Sequence, residues 1–161
     1  MTSQMASQIK SVDDLMLNII QEVHVKASLE KTFESLLEQL GPYNETPEGR
    51  SLQMKLEAWP GGRWYRDLGN SNGHFWGNVQ AIKRPTLLEI TGPLFASSPF
   101  LSNLQYRLAE QQGGTLITFR HTALGVLTDD QRKGVNMGWN YTLSRVKSRA
   151  ESSNSRSASG Q

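Results

Sequence analysis

Trp59-Pro60-Gly61-Gly62-Arg63-Trp64 is a Pro-Gly-Gly reversal set between two runs in which apolar and polar residues alternate. Glycine reaches positive φ without steric cost, and period-2 runs on either side of such a turn pair as antiparallel strands. Upstream, Leu52, Met54, Leu56 and Ala58 alternate with Gln53, Lys55 and Glu57, and downstream a strand runs over 63–68. A hairpin of this kind leaves an apolar face that another layer must cover. The cover begins at Thr128, which stands before Asp129 and Asp130 with Gln131 three residues on, a capping box with acids at the positive end of a helix. Val135, Trp139, Leu143 and Val146 then form an apolar stripe over three turns, flanked by Met137 and Thr142. Together these features specify an α+β chain, a curved antiparallel sheet of about seven strands wrapped around a long C-terminal helix.

Working outward from the hairpin, Ile19, Val23, Val25 and Ala27 share one face of an extended run, with Glu22, His24 and Lys26 opposite, the pattern of a half-buried strand. Ser28 is placed to cap a helix in which Leu29, Phe33, Leu36, Leu37 and Leu40 recur at helical spacing, and Gly41-Pro42 ends it. Asn70-Ser71-Asn72-Gly73 turns the chain into a strand over 74–83, Arg84-Pro85 turns it again, and 87–91 is a fifth strand closed by Gly92-Pro93. Residues 94–99 read as an irregular loop near an end of the sheet. Leu104, Tyr106 and Leu108 alternate in a sixth strand, 111–114 reverse it, and 116–122 return as a seventh with Ile117, Phe119 and His121 on one face. Connections this short make neighbouring strands antiparallel.

The 161 residues, 37% of them hydrophobic, suit one domain with a sizeable core. The expected division is a polar segment 1–14, a domain 15–149 and a flexible Ser-rich tail 150–161, since the tail offers too little apolar surface to offset the entropy of ordering. With no cysteine, disulfides, thiolate catalysis and Cys-based zinc sites are excluded. No apolar run approaches the roughly 18 residues of a membrane span, and the N-terminus is too polar for a signal peptide, so a cytoplasmic location is expected. A net charge of +2, with cations scattered among acids, argues against nucleic acid as a partner. Arg145, Lys147 and Arg149 read as cations favouring the dipole at a helix end.

The motifs also carry a family likeness. Glu57-Ala58-Trp59-Pro60-Gly61-Gly62-Arg63-Trp64, then Gly77-Asn78-Val79 and Lys83-Arg84-Pro85-Thr86-Leu87-Leu88, then Gly114-Thr115-Leu116-Ile117-Thr118-Phe119-Arg120-His121-Thr122 and the closing Gly138-Trp139-Asn140 follow one another in order. In this order and spacing the chain resembles the Activator of Hsp90 ATPase homologue-like branch of the START-like (SRPBCC, Bet v 1-like) superfamily over residues 19–146. Two positions depart from the pattern: Ser28-Leu29 follows Ala27 where relatives commonly have proline, and Leu40-Gly41-Pro42 replaces a tryptophan near the end of the first helix. The resemblance implies the helix-grip fold and a cavity between sheet and final helix. Relatives of this fold serve as lipid carriers, polyketide cyclases, hormone receptors and co-chaperone domains, so it implies no single ligand.

Met54, Trp64, Tyr106, Phe119 and Trp139 are the apolar residues expected near that cavity, and His121 joins them by sharing the parity of Phe119. His74 and Trp76 share a face that, turned inward, would give an aromatic wall with a polar anchor. The opposite register puts Phe75 and Val79 inward, and the Gly77-Asn78-Val79 pattern favours it. Gly134 and Gly138 each cost a helix roughly 1 kcal/mol relative to alanine, which points to tight packing on the sheet, the simpler reading, or to close approach of a ligand. The histidines His24, His74 and His121 have no metal-ligand spacing, and Gly61-Gly62 and Gly113-Gly114 lie in hairpins rather than before helices, so neither a metal nor a phosphate-binding cofactor is expected. Glu57, Asp67 and His121 are not linked by any spacing that assembles a catalytic group, and no catalytic residue is assigned. The leading expectation is non-catalytic binding of a small hydrophobic or amphipathic molecule by a monomer or weak homodimer. A chaperone- or regulator-binding interaction domain and a cyclase- or hydrolase-like enzyme of the same fold stay open as alternatives.

Overall fold

Asp14 accepts hydrogen bonds from the Lys10 and Ser11 amides around a single 3-10 turn, Val12–Leu15, which feeds the chain into strand β1, Met16–Val25. The computed structural model describes residues 9–158, with side chains described through residue 152. Residues 1–8 of the polar N-terminal segment and 159–161 of the Ser-rich tail lie outside the described residues. Helix α1 is Leu29–Leu40; the Ser28 hydroxyl accepts from the Lys31 amide at 3.2 Å, and Phe33, Leu36 and Leu40 turn the buried face to the core.

Strand β2 is only Met54–Leu56, shorter than the alternation over 52–58 suggests. Gln53 adopts positive φ (53°), which breaks the extended run on its N-terminal side. Beyond Leu56 the backbone leaves the ladder for the Pro-Gly-Gly reversal, closed by Glu57 N–H to Arg63 C=O at 2.9 Å before strand β3, Arg63–Gly69. The reversal docks on the sheet, because Gly61 N–H donates to Val79 C=O and Val79 N–H to Gly62 C=O, both at 2.8 Å. Any Cβ at Gly62 would sit 1.8 Å from the Glu57 carbonyl oxygen, so close approach of backbone explains that glycine.

Asn70 and Ser71, both at positive φ (53° and 63°), make a two-residue hairpin turn into strand β4, Asn72–Lys83. Strands β5 (Leu87–Gly92), β6 (Phe100–Gln111) and β7 (Gly114–Gly125) follow, the last two longer than their central alternation indicates. All seven strands form one antiparallel sheet in the order β1-β7-β6-β5-β4-β3-β2. Register shifts between Trp64 and Tyr65, Asp67 and Gly69, and Val79 and Ala81 mark bulges in the β3–β4–β5 half, the devices that curve a sheet.

One bulge resolves the facing of β4 against both sequence alternatives. Trp64 pairs with Gly77 and Tyr65 with Phe75, so Trp76 is the extra residue on β4. Trp76 (9% exposed) and Val79 are therefore both inside, while Phe75 is 44% exposed. Strict period-2 parity cannot give that arrangement, since a bulge resets which face follows.

Helix α2, Asp129–Ala158, starts on the expected capping box: Gln131 N–H donates to Thr128 Oγ1 at 3.1 Å and Thr128 N–H to Gln131 Oε1 at 2.9 Å. It continues well beyond residue 149, where the apolar pattern fades, and Ala150 is fully buried. Val135, Trp139, Leu143 and Val146 lie on the buried stripe, so the expected contact with the sheet forms. The basic residues near its end tether rather than cap. Lys147 Nζ donates to the His24 carbonyl at 2.8 Å, and Arg149 donates to Gln39 Oε1 at 3.1 Å and covers the Tyr43 ring. Arg132 binds the Met16 carbonyl at 2.7 Å and the Asp14 carbonyl as well, and Glu151 accepts from the Lys26 amide at 2.9 Å. Helix α2 is thereby clamped to α1 and to the β1 side of the sheet, and its other flank faces the bulged half.

Candidate functional site

Beyond α1, Asn44 is buried and holds two anchors: its Nδ2 donates to the Leu40 carbonyl at 3.1 Å and its carbonyl accepts from the Leu52 amide at 2.9 Å. The Glu45–Ser51 bridge and a Thr46 N–H to Arg50 C=O bond at 2.8 Å then fold residues 44–52 into a ledge beside α2. Between this ledge, the flank of α2 that Tyr141 and Arg145 join to Glu45, Trp76 on β4 and Phe95 lies a cavity of about 370 Å³. That volume is within the range of small-molecule sites. Its walls are mostly apolar, among them Pro47, Leu52, Trp76, Phe95, Val135 and Trp139.

Phe95 belongs to the irregular segment 94–99, which is held at both ends. Leu94, fully buried at positive φ (54°), donates its amide to the Trp76 carbonyl at 2.8 Å, and Ser98 Oγ donates to the Val126 carbonyl at 2.8 Å. Gly92 makes this possible, because a Cβ there would fall 2.4 Å from Gly77 Cα. The Trp76 bulge and the Gly77–Gly92 contact together carry Phe95 to an edge-on contact with Trp76, centroids 6.2 Å apart.

Gly134 and Gly138 also line the cavity, and a Cβ added to either would meet nothing within 4 Å. Tight packing on the sheet, the simpler reading of these glycines, is thus overturned. With Gln131 and Thr142 at spacings of three and four they form a second face of α2, beside the stripe that packs on the sheet.

Of the eight residues singled out from the sequence, Trp76 and Trp139 border the cavity. His74 is half-buried behind Trp76, ring centroids 6.4 Å apart, and Trp64 packs edge-on to Trp76 at 5.1 Å while its Nε1 donates to the Leu40 carbonyl at 2.8 Å. Met54, Tyr106 and Phe119 are core residues, Tyr106 against Phe119 at 4.8 Å and Phe119 against Trp139 at 5.1 Å. Burial pushes the Tyr106 phenol up, and its hydroxyl has no hydrogen-bond partner. Sequence reasoning raises close approach of a ligand at Gly134 and Gly138 as the second of two readings, but misses the ledge 44–47, Leu52 and Phe95. For the glycines a signal existed in their shared spacing with Gln131 and Thr142; for the ledge and Phe95 no local pattern exists, because the fold brings them there.

His121 is fully buried behind Trp139. The Trp139 indole, a donor only, gives its N–H to His121 Nδ1 at 2.9 Å, and His121 Nε2 lies 2.7 Å from Ser102 Oγ. Since Nδ1 accepts, a neutral ring carries its proton on Nε2 and donates to Ser102. Burial lowers the His121 pKa to about 4, keeping that neutral ring at ordinary pH. The Ser–His contact therefore has the polarity opposite to an activated nucleophile, whose base must accept from the hydroxyl. The two acids weighed as catalytic partners are surface ion pairs. Arg63 grips Glu57 through two bonds at 2.8 and 2.9 Å and lowers its pKa to about 2, and Lys55 pairs with Asp67 at 2.7 Å and lowers that carboxyl as well. Among the described residues no group of three or more His, Cys, Asp or Glu is placed to hold a metal ion, and no helix is long and apolar enough to cross a membrane.

A seven-stranded antiparallel sheet closed over a long C-terminal helix, with a cavity beneath the helix, defines a START-like helix-grip domain. Within that class the chain belongs to the family described as Activator of Hsp90 ATPase homolog 1-like protein, which matches residues 26–151. Among solved structures it is similar to CalU16 from Micromonospora echinospora, at 19% identity and TM-score 0.58, over 86% of this chain and 79% of that one. It is likewise similar to the Aha1 dimer from Colwellia psychrerythraea, at 18% identity and TM-score 0.60, over 84% of this chain and 96% of that one. The di-domain ARO/CYC StfQ from the steffimycin biosynthetic pathway matches at 13% identity and TM-score 0.64, over 89% of this chain and 53% of that one. Identities this low establish the fold alone. No curated protein matches the chain in sequence.

Proposed function

We propose that the protein binds a small hydrophobic or amphipathic molecule in the cavity between the ledge 44–52, the β4 bulge and α2, without chemistry. The observation that carries this reading is the cavity of about 370 Å³ with its bare glycine face, since two glycines that cost helix stability border open space where alanine would fit. Trp76 and Trp139 are the contacts proposed from the original candidates, with Phe95 and Leu52 completing the walls. The hydrogen-bond polarity of Ser102–His121–Trp139 supports a carrier over the enzyme alternative, because it leaves His121 no free acceptor with which to activate a nucleophile. Native mass spectrometry of the purified protein, followed by denaturing extraction, tests the reading. A co-purifying small molecule, or uptake of an added apolar one at one per chain, is expected; a protein that takes up no apolar molecule at micromolar concentration overturns it.

A second reading, an interaction domain for a chaperone or another copy of the chain, is favoured by one feature of the outer sheet face. Met16, Leu124 and Leu101 pair across β1, β7 and β6 as a row of exposed apolar side chains, with Ile20 on the same face of β1 beyond the exposed Asn18. Such a row on a solvent face is the kind of surface a partner covers. The two readings use opposite faces of the sheet and are separable by mutation.

A further inference from the structure

We infer that Gly134 and Gly138 determine specificity, selecting a flat, uncharged ligand that lies against bare helix backbone. The inference rests on the ligand-binding reading above and names the class of ligand. Bare backbone on α2 faces the cavity from Gly134, at the exposed mouth, to Gly138, which is half-buried, and beyond the helix's own backbone nothing stands within 4 Å of where either Cβ would be. Trp76 and Phe95 belong to the same cavity, so the walls offer aromatic rings as well as a strip without side chains. A rigid plane fits such a slot along its whole length, whereas a flexible chain gains little from the absence of two methyl groups.

The Trp76 Nε1–H is closed to solvent, so Trp76 offers the cavity aromatic surface rather than a donor. None of the cavity's described lining residues is a lysine, arginine or histidine, and the lining carboxylate, Glu45, already accepts from the Tyr141 hydroxyl at 2.8 Å and pairs with Arg145 at 3.2 Å. A carboxylate or phosphate headgroup would enter such a site without a counter-charge, so fatty acids and lipid phosphates are disfavoured and neutral molecules preferred.

Calorimetric titration with acridone (flat, uncharged, one carbonyl), decanol (uncharged, flexible) and decanoate (flexible, anionic) tests this on the wild type and on the double variant Gly134→Ala/Gly138→Ala. Wild type is expected to bind acridone most tightly and decanoate most weakly. The double variant is expected to melt about 2–4 °C higher per substitution, since alanine is the better helix former and meets open space. It should nonetheless lose roughly tenfold in acridone affinity while decanol changes by less than about threefold. Unchanged acridone affinity in a correctly stabilised double variant overturns the inference. Binding of decanol or decanoate without acridone overturns it too but leaves the ligand-binding reading standing, and failure of all three probes removes both.

Discussion

A methyl group added at Gly62 and one added at Gly138 meet opposite surroundings, and the contrast shows how residue-level physics separates structure from function here. At Gly62 the new Cβ would lie 1.8 Å from the Glu57 carbonyl oxygen, so Gly62→Ala must displace backbone that docks the hairpin on Val79. A loss on the order of 3 kcal/mol is expected in chemical denaturation. At Gly138 the Cβ meets open space, and Gly138→Ala alone is expected to gain about 1 kcal/mol. The sequence showed both positions as glycines in motifs, and local pattern could not tell a crowded one from an open one. His121 makes a second residue-scale prediction. Its folded pKa of about 4 lies below the ordinary value, so the unfolded chain binds the extra proton first, and stability present above pH 6.5 is lost as pH falls toward 4. Its ring contacts are Ser102, Trp139 and Phe100, none of which titrates there. Between pH 6.5 and 5 the wild type is expected to lose about 1.5 kcal/mol more than His121→Gln, measured by urea denaturation at both pH values.

Among elements, those with a complete local signature were legible: Ser28 and Thr128 cap the helices that their spacing implies, and the Asn70-Ser71 turn joins the strands it separates. Strand β4 was not, because the extra residue at Trp76 answers to Gly77 packing on Gly92, a contact between strands that no window on one strand contains. Helix α2 was cut short for a related reason. Its apolar stripe fades after Val146, but Ala150, small and fully buried, continues the packing, and Glu151 joins the Lys26 amide to Lys147. Ala150→Glu is accordingly expected to cost about 2–3 kcal/mol by thermal unfolding, because it forces a charge into that contact. A change within a few tenths of a kcal/mol would mean that the helix end does not pack as described.

At the scale of the whole molecule, a sheet that is regular on its β1–β7–β6 side and bulged on its β5–β4–β3 side receives a helix clamped to the regular side. Space is left on the other. The fold was readable from alternation, turns and caps because these are local, whereas the cavity is the residue of several tertiary accidents of register and could be anticipated only as a family trait. The outer apolar row lies on the regular side, so Leu101→Glu/Leu124→Glu is expected to abolish any self-association or partner capture while leaving small-molecule uptake intact. Sedimentation velocity with and without an apolar probe reads both properties in one sample. Amide and indole NMR shifts during titration with acridone show whether the space beneath α2 is a ligand site. Saturable shifts are expected at the Gly134 and Gly138 amides and, through the ring that borders the cavity, at the Trp76 indole N–H, with the Trp64 indole, tied to Leu40, unmoved; shifts confined to the outer face of β1, β7 and β6, or none at all, would refute the site.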